Sequence, residues 1–242
     1  MTGPAPVLVG CAHGTRDPAG RRAVADLLVA VGERRPEVSV EPAFVDVQSP
    51  TVADVVTRLA EQGRRCVVVP LLLSAGYHVH VDVAAAVRTV PSAAASPPLG
   101  PDPRLADLLA ERLAQAGASS GDGVVLAAAG SSDARAAAAT QEAAALLRER
   151  WDGPVMVGYG ASAEPSVAAA VAALRADGAP RVAVAAYLLA PGHFHDRLAG
   201  AGADVLTDPL CLPGAPDPRV VDVVLDRYDA ALTASSRPAP AR

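Results

Sequence analysis

Every histidine of the chain falls in one of two kinds of motif, and each motif directly follows a strand-like apolar run. His13 sits in Cys11-Ala12-His13-Gly14-Thr15-Arg16-Asp17. His78 and His80 sit in Ser74-Ala75-Gly76-Tyr77-His78-Val79-His80, and His193 and His195 in Ala190-Pro191-Gly192-His193-Phe194-His195-Asp196. Imidazole changes charge near neutrality and is the commonest protein ligand for metal ions. Five histidines confined in this way point to a site that holds a metal or moves protons.

The motifs occupy matching places in a duplicated sequence. Pro101-Asp102-Pro103-Arg104-Leu105-Ala106-Asp107 is echoed by Pro216-Asp217-Pro218-Arg219-Val220-Val221-Asp222, an offset of about 115 residues. Ser49-Pro50-Thr51-Val52 answers to Glu164-Pro165-Ser166-Val167, and Leu71–Gly76 to Tyr187–Gly192. His78-Val79-His80 answers to His193-Phe194-His195. The first motif does not repeat its chemistry: where the first half has His13-Gly14-Thr15-Arg16-Asp17, the second has Ala129-Gly130-Ser131-Ser132-Asp133. Gene duplication followed by specialisation accounts for a unit of this length.

The elements that must carry these motifs alternate between strand and helix. Strands are predicted at 7–11, 40–45 and 66–73, with helices over 18–33, 51–61, 82–89 and 103–116. Pro18 suits the first turn of a helix, where its missing N–H costs little. The continuous apolar run 66–73 suits a central parallel strand buried on both faces. Residues 117–123 have linker composition. The second half repeats the order, with strands at 124–128, 155–159 and 182–189 and helices over 134–150, 165–176 and 218–232. The fold expected is α/β, two tandem domains over 1–117 and 124–233, each a parallel sheet flanked by helices, with 234–242 a disordered tail. Ligands of open α/β sheets bind beyond the carboxyl ends of the strands. His13 follows the first strand, Asp46 the second and His78 the third, so all three leave one edge of one sheet.

Composition sets the outer bounds. The chain has 242 residues, half of them apolar, a net charge of −5, and no Lys, Asn or Ile. That balance gives no indication of a nucleic-acid partner. No run approaches the ~20 apolar residues of a membrane span, and no basic-then-apolar leader is evident, so a cytoplasmic protein is expected. Three cysteines, Cys11, Cys66 and Cys211, lie in or beside apolar runs without CxxC spacing and read as buried thiols. Neither glycine-containing loop matches a nucleotide-binding pattern.

Gly14 beside His13, the Phe-Val-Asp-x-x-x-Pro stretch over 44–50, and Pro-Leu-Leu-Leu-Ser-Ala-Gly-Tyr-His over 70–78 together resemble the CbiX/SirB sirohydrochlorin chelatases, class II enzymes that insert cobalt or ferrous iron into sirohydrochlorin. The resemblance covers nearly the whole chain, including the duplication. It implies two similar α/β domains with a cleft between them, a lyase-class metal chelatase, and one active centre per chain. The family's paired metal-handling histidines correspond to His13 and His78. Its acidic residue after the second strand is usually Glu, whereas this chain has the shorter Asp46. Ala129 and Ala161 stand at the matching places of the second half. No permanently bound cofactor is implied. Sirohydrochlorin and a divalent ion, Fe²⁺ or Co²⁺, would be the substrates, and a monomer would suffice.

The residue types suit that chemistry. Metal insertion must remove two pyrrole protons and strip water from the ion. Neutral imidazoles hold borderline divalent ions reversibly and accept protons near neutrality, and a carboxylate can orient a histidine or hold the metal. His13, His78 and Asp46 are the expected catalytic residues, with His13 and His78 on the metal. His80 joins them only if the strand continues, so that residues 78 and 80 point alike. Arg16 could pair with a substrate carboxylate or with Asp17. Backbone groups at Gly14-Thr15 and Ser74-Ala75-Gly76 could hold other carboxylates, or the glycines could serve turns alone. His193 and His195 could face the cleft, store a second metal, or be surface loop residues. Tyr77 and Tyr187 could flank the macrocycle, Tyr187 alternatively packing in the core. The other function class is a non-catalytic metal or tetrapyrrole carrier on the same fold. A chelatase for nickel or another tetrapyrrole is a weaker third reading.

Overall fold

The first apolar run forms β1 (Val7–Ala12), buried along its whole length. A strand with no solvent face belongs inside a sheet covered on both sides. β1 is flanked by β2 (Val40–Phe44) and β3 (Cys66–Pro70), both parallel to it. A short β4 (Ala93–Ala95) extends the sheet to the order β2-β1-β3-β4. The second half repeats the arrangement with β5 (Gly123–Ala128), β6 (Val155–Tyr159), β7 (Val182–Tyr187) and β8 (Val205–Leu206), in the order β6-β5-β7-β8. The computed structural model describes residues 4–74, 76 and 79–235.

Helices start where the sequence places capping groups. In α1 (Pro18–Arg34), Asp17 accepts from the Gly20 amide at 2.8 Å and Pro18 opens the first turn. In α2 (Val52–Glu61), Thr51 and Asp54 form a reciprocal capping box. Such caps contribute about 1 kcal/mol each. A π-helical turn (Val79–Val83) runs into α3 (Ala84–Arg88). Then come α4 (Pro103–Gln115), α5 (Ala134–Arg148), α6 (Val167–Ala176), the short α7 (His193–Leu198) and α8 (Pro218–Ser235).

The two parallel sheets with flanking helices are the expected fold, with local differences. β4, β8 and α7 were not anticipated; strands of two or three residues are too short to show a periodicity. The third strand of each half ends early, at Pro70 and Tyr187, instead of at 73 and 189. The chain there leaves the ladder but stays apolar because it docks on the segment after the edge strand: Leu99 donates to the Leu72 carbonyl, and Leu210 and Cys211 to those of Leu188 and Leu189. The helix expected over 82–89 begins earlier, as the π turn. α8 continues to Ser235, and residues 236–242 of the expected tail lie outside the described residues.

The last helix of each half packs on the sheet of the other. α8 lies against α1, β3 and β4, while α4 lies against α5 and β7. The buried Tyr228 hydroxyl of α8 donates to the Pro6 carbonyl at 2.6 Å, just before β1. One apolar cluster therefore runs without interruption from Leu8 and Leu27 through Leu108 and Val224 to Leu126 and Ala185. Separate clusters cover the outer faces, under α2 and α3 in the first half and under α6 and α7 in the second. The Pro-Asp-Pro-Arg echo is the start of these exchanged helices. Asp102 caps α4 and takes two hydrogen bonds from the Arg104 guanidinium at 2.9 Å. Asp217 does the same with Arg219 at 2.9 and 2.8 Å.

All three cysteines are buried and unpaired. Burial pushes the thiols of Cys11 and Cys211 up to about 12 and that of Cys66 up to about 11.

Candidate functional site

His13 and Asp46 leave the carboxyl ends of neighbouring strands, and their backbones are bonded to each other. The Asp46 amide donates to the His13 carbonyl at 3.0 Å, one step beyond the bond from Val45 to Ala12. Both side chains are exposed at that edge. The His13 Nδ1 lies 3.3 Å from the Gly14 carbonyl, and the Asp46 Oδ1 accepts from the Val47 amide at 2.7 Å.

Gly14 makes this approach possible. Its φ is +96°, and a Cβ there would stand 2.1 Å from the Asp46 carbonyl oxygen. Any side chain would push the two loops apart, so glycine is required by space as well as by backbone conformation. Val47 adopts φ of 64°, a costly region for a β-branched residue. The second half has the same frame without the chemistry. Ala161 donates to the Ala129 carbonyl at 2.9 Å. A Cβ on Gly130 would meet the Ala161 oxygen at 1.8 Å, and Ser162 has φ of 57°. The left-handed residue therefore belongs to the duplicated loop design, not to the reactive groups.

The other expected residues divide. The Thr15 amide donates to Gln48 Oε1 at 2.8 Å, and the Gly76 amide to the Ser74 carbonyl at 3.0 Å. These two donors are engaged within the loops themselves. Arg16 is exposed and makes no ion pair among the described residues. The alternative pairing with Asp17 does not form, because Asp17 is engaged as the cap of α1. Ala75, Tyr77 and His78 lie outside the described residues, as does the side chain of His80. The backbone of His80 belongs to the π turn, and β3 has ended at Pro70. The strand continuation that His80 needed is thus absent.

In the second half, His195 Nε2 lies 2.9 Å from the Thr207 carbonyl, and the buried Thr207 hydroxyl accepts from the Ala186 amide at 2.9 Å. His195 is a bracing residue. His193 is exposed and stacks edge-on against Phe194 at 5.8 Å. The loop before it reaches the first half: a Cβ on Gly20 of α1 would meet the Pro191 carbonyl at 2.4 Å, and one on Gly192 would lie 3.3 Å from the Thr15 hydroxyl. Reciprocally, a Cβ on Gly76 would lie 3.3 Å from the Ser131 hydroxyl. The loop after β7 thus abuts the first loop and α1 of the first half, and Gly76 after β3 abuts the first loop of the second.

Four residues there had no sequence signal of their own. Asp82, in the π turn, lines an open groove of about 360 Å³ together with Val45 and Thr51. Its charge adds to the burial that raises the Cys11 thiol, so it lies near the end of β1. Its place four residues after His78 was visible, but not the helical turn that gives the spacing meaning. Val47, Val81 and Phe194 are three of the four large apolar side chains exposed among the described residues; Val47 lies in the loop after β2, Val81 in the π turn and Phe194 in α7. Among the described residues no three His, Cys, Asp or Glu side chains form a metal-holding group.

The model of the CbiX family matches residues 7–116 and again 123–231. The chain belongs to the CbiX family. The two matches fall on the two sequence halves, so this CbiX chain carries the family unit twice. A sirohydrochlorin cobaltochelatase from Methanopyrus kandleri is 30% identical over 137 residues, covering 46% of this chain and 94% of that protein. The fold matches SirB from Bacillus subtilis with Fe³⁺ at a TM-score of 0.78 and 21% identity, over 96% of this chain and 98% of that one. It also matches CbiX, described as the terminal enzyme of siroheme biosynthesis in denitrifying bacteria, at a TM-score of 0.66 and 22% identity, over 94% and 99% of the two chains. No helix among the described residues is long and apolar enough to cross a membrane.

Proposed function

We propose that this chain is a sirohydrochlorin chelatase that inserts Fe²⁺ or Co²⁺ into the tetrapyrrole between its two halves, with one active centre in the first half. The observation that carries the reading is the bonded pair of loops holding His13 and Asp46 side by side at the carboxyl edge, in a chain of the CbiX family. The names of the relatives supply the substrate class.

In this reading the metal ion is a substrate held by His13, with His78 from the segment after β3. An imidazole gives a borderline ion a ligand it can leave. As the metal enters the ring, two pyrrole protons must depart, and imidazole takes them at neutral pH. The Asp46 carboxylate offsets the positive charge of the metal or of the resulting imidazolium. Val47, Val81 and Phe194 offer apolar contact to the macrocycle, and the unpaired Arg16 meets one of its carboxylates. The ligand types suit iron and cobalt alike. One chain supplies both halves, so a monomer is sufficient, and a cytoplasmic setting fits the reduced state of both ion and thiols.

Anaerobic absorbance spectroscopy tests this. Sirohydrochlorin with Fe²⁺ or Co²⁺ and catalytic amounts of protein should be metallated over many turnovers, and the His13→Ala variant should lose that acceleration. Tight binding without acceleration above the spontaneous rate would make the protein a carrier instead.

A further inference from the structure

The second half lacks the reactive side chains but reaches into the first half at one buried atom. Tyr187 ends β7, is 3% exposed, and donates its hydroxyl to the Leu73 carbonyl at 3.1 Å. Leu73 opens the segment that leads through Ser74 and Gly76 to His78. The space around the bond is tight: a Cβ on Gly100 would stand 2.1 Å from the Tyr187 hydroxyl and 2.5 Å from the Leu73 oxygen. Leu72, next to Leu73, accepts from the Leu99 amide at 2.8 Å, so the two neighbouring carbonyls are held from different sides. Burial, with the nearby Asp102 charge, keeps the phenol protonated far beyond neutrality and hence always a donor. The contact runs one way, because the residue matching Tyr187 in the first half is Leu71, a buried side chain with no donor.

We propose that Tyr187 is a positioning residue for the segment after β3 in the first half, its hydroxyl fixing the Leu73 carbonyl where the chain runs on to Ser74. This rests on the chelatase reading, in which His78 meets the metal. It assigns the second half a task in catalysis beyond closing over the substrate: a phenol in one half sets the geometry of a loop in the other.

The test is Tyr187→Phe in the full-length chain, read by anaerobic metallation kinetics, thermal unfolding and hydrogen–deuterium exchange. Misplacing a reactive group by about 1 Å can cost on the order of a hundredfold in rate. The expected result is a ten- to hundredfold lower kcat with KM for metal and tetrapyrrole within about twofold. Exchange should accelerate in peptides spanning 72–80, while β5, β6 and β7 keep their protection. A role confined to core stability would lower the unfolding temperature and loosen the second sheet without separating kcat from KM. That pattern, or unchanged kcat and exchange, overturns the proposal. Gly100→Ala attacks the same bond from the other side and carries the test if Tyr187→Phe does not fold. Absence of turnover in the unaltered protein would defeat the chelatase reading, and a local exchange response would still establish the link between Tyr187 and the segment.

Discussion

The first loops of the two halves share a backbone and differ in what it displays. His13-Gly14 meets Asp46 in the first half as Ala129-Gly130 meets Ala161 in the second, through the same amide-to-carbonyl bond of 3.0 and 2.9 Å. The same left-handed glycine makes both approaches possible, with φ of +96° and +94°. A frame that persists without its reactive groups is part of how each sheet closes its edge. The two copies differ there in the side chains the shared frame displays, His13 and Asp46 against Ala129 and Ala161.

The largest test of that difference is functional. His13→Ala should slow metallation by about 10²- to 10⁴-fold, the range for a positioned acid or base. His195→Ala should leave the rate unchanged and lower stability by about 1 kcal/mol, the worth of one hydrogen bond, as measured by denaturant unfolding. Equal rate losses in the two variants would break the division of labour between the halves.

The shared frame predicts a shared penalty. Gly14→Ala and Gly130→Ala should each destabilise by on the order of 1–3 kcal/mol, since both force a Cβ into a left-handed, crowded position. Only Gly14→Ala should also reduce kcat. A variant pair that differed in stability but not in activity would assign the glycine a different purpose.

The exchanged helices offer a smaller contrast. Arg227 of α8 donates to the Pro98 and Leu99 carbonyls at 2.8 Å. Its counterpart Arg112 in α4 has a buried Nε without a hydrogen-bond partner. Arg227→Met should cost about 1–3 kcal/mol by leaving buried carbonyls unpaired, whereas Arg112→Met should be near neutral. Thermal unfolding of both variants decides the point. The ion pairs of Arg34 with Asp222 and Arg35 with Asp229 are partly exposed and should each be worth about 1 kcal/mol or less.

The smallest effect is on acid stability. Burial would raise the Asp102 carboxyl, but hydrogen bonds from Arg104 and the charge of Arg227 outweigh it and hold it below its usual range. The Arg104 analogue Arg219 lowers Asp217 in the same way. A carboxyl depressed in the folded state adds stability above its unfolded value, near 3.9, and loses it as the pH falls through the folded value. Stability should therefore fall below about pH 4, and Asp102→Asn should flatten that limb in urea titrations at successive pH values.

Much of the site's address was legible because it depends on local patterns. Runs such as Val7–Ala12 are apolar throughout, and caps such as Asp17 and Thr51 mark helix starts in the sequence itself. Alternation of these elements by itself puts His13 and Asp46 at one edge. The engagement of the Thr15 amide by Gln48 was not legible, because it joins residues in different loops. The bracing role of His195 was hidden for the same reason: its partner Thr207 directly follows an edge strand that was not anticipated. Asp82 needed the π turn to give its spacing a direction.

The sequence by itself determined the duplication, the order of strands and helices, and the loss of imidazole and carboxylate from the second copy, since these follow from residue identity and short-range periodicity. Tertiary structure decided which sheet each terminal helix covers and which half steadies which loop. α4 and α8 have apolar faces that would serve either sheet, and only the simultaneous packing of both halves selects the exchange. The Tyr187 hydroxyl likewise needs a buried carbonyl, and only the assembled fold places that of Leu73 within its reach.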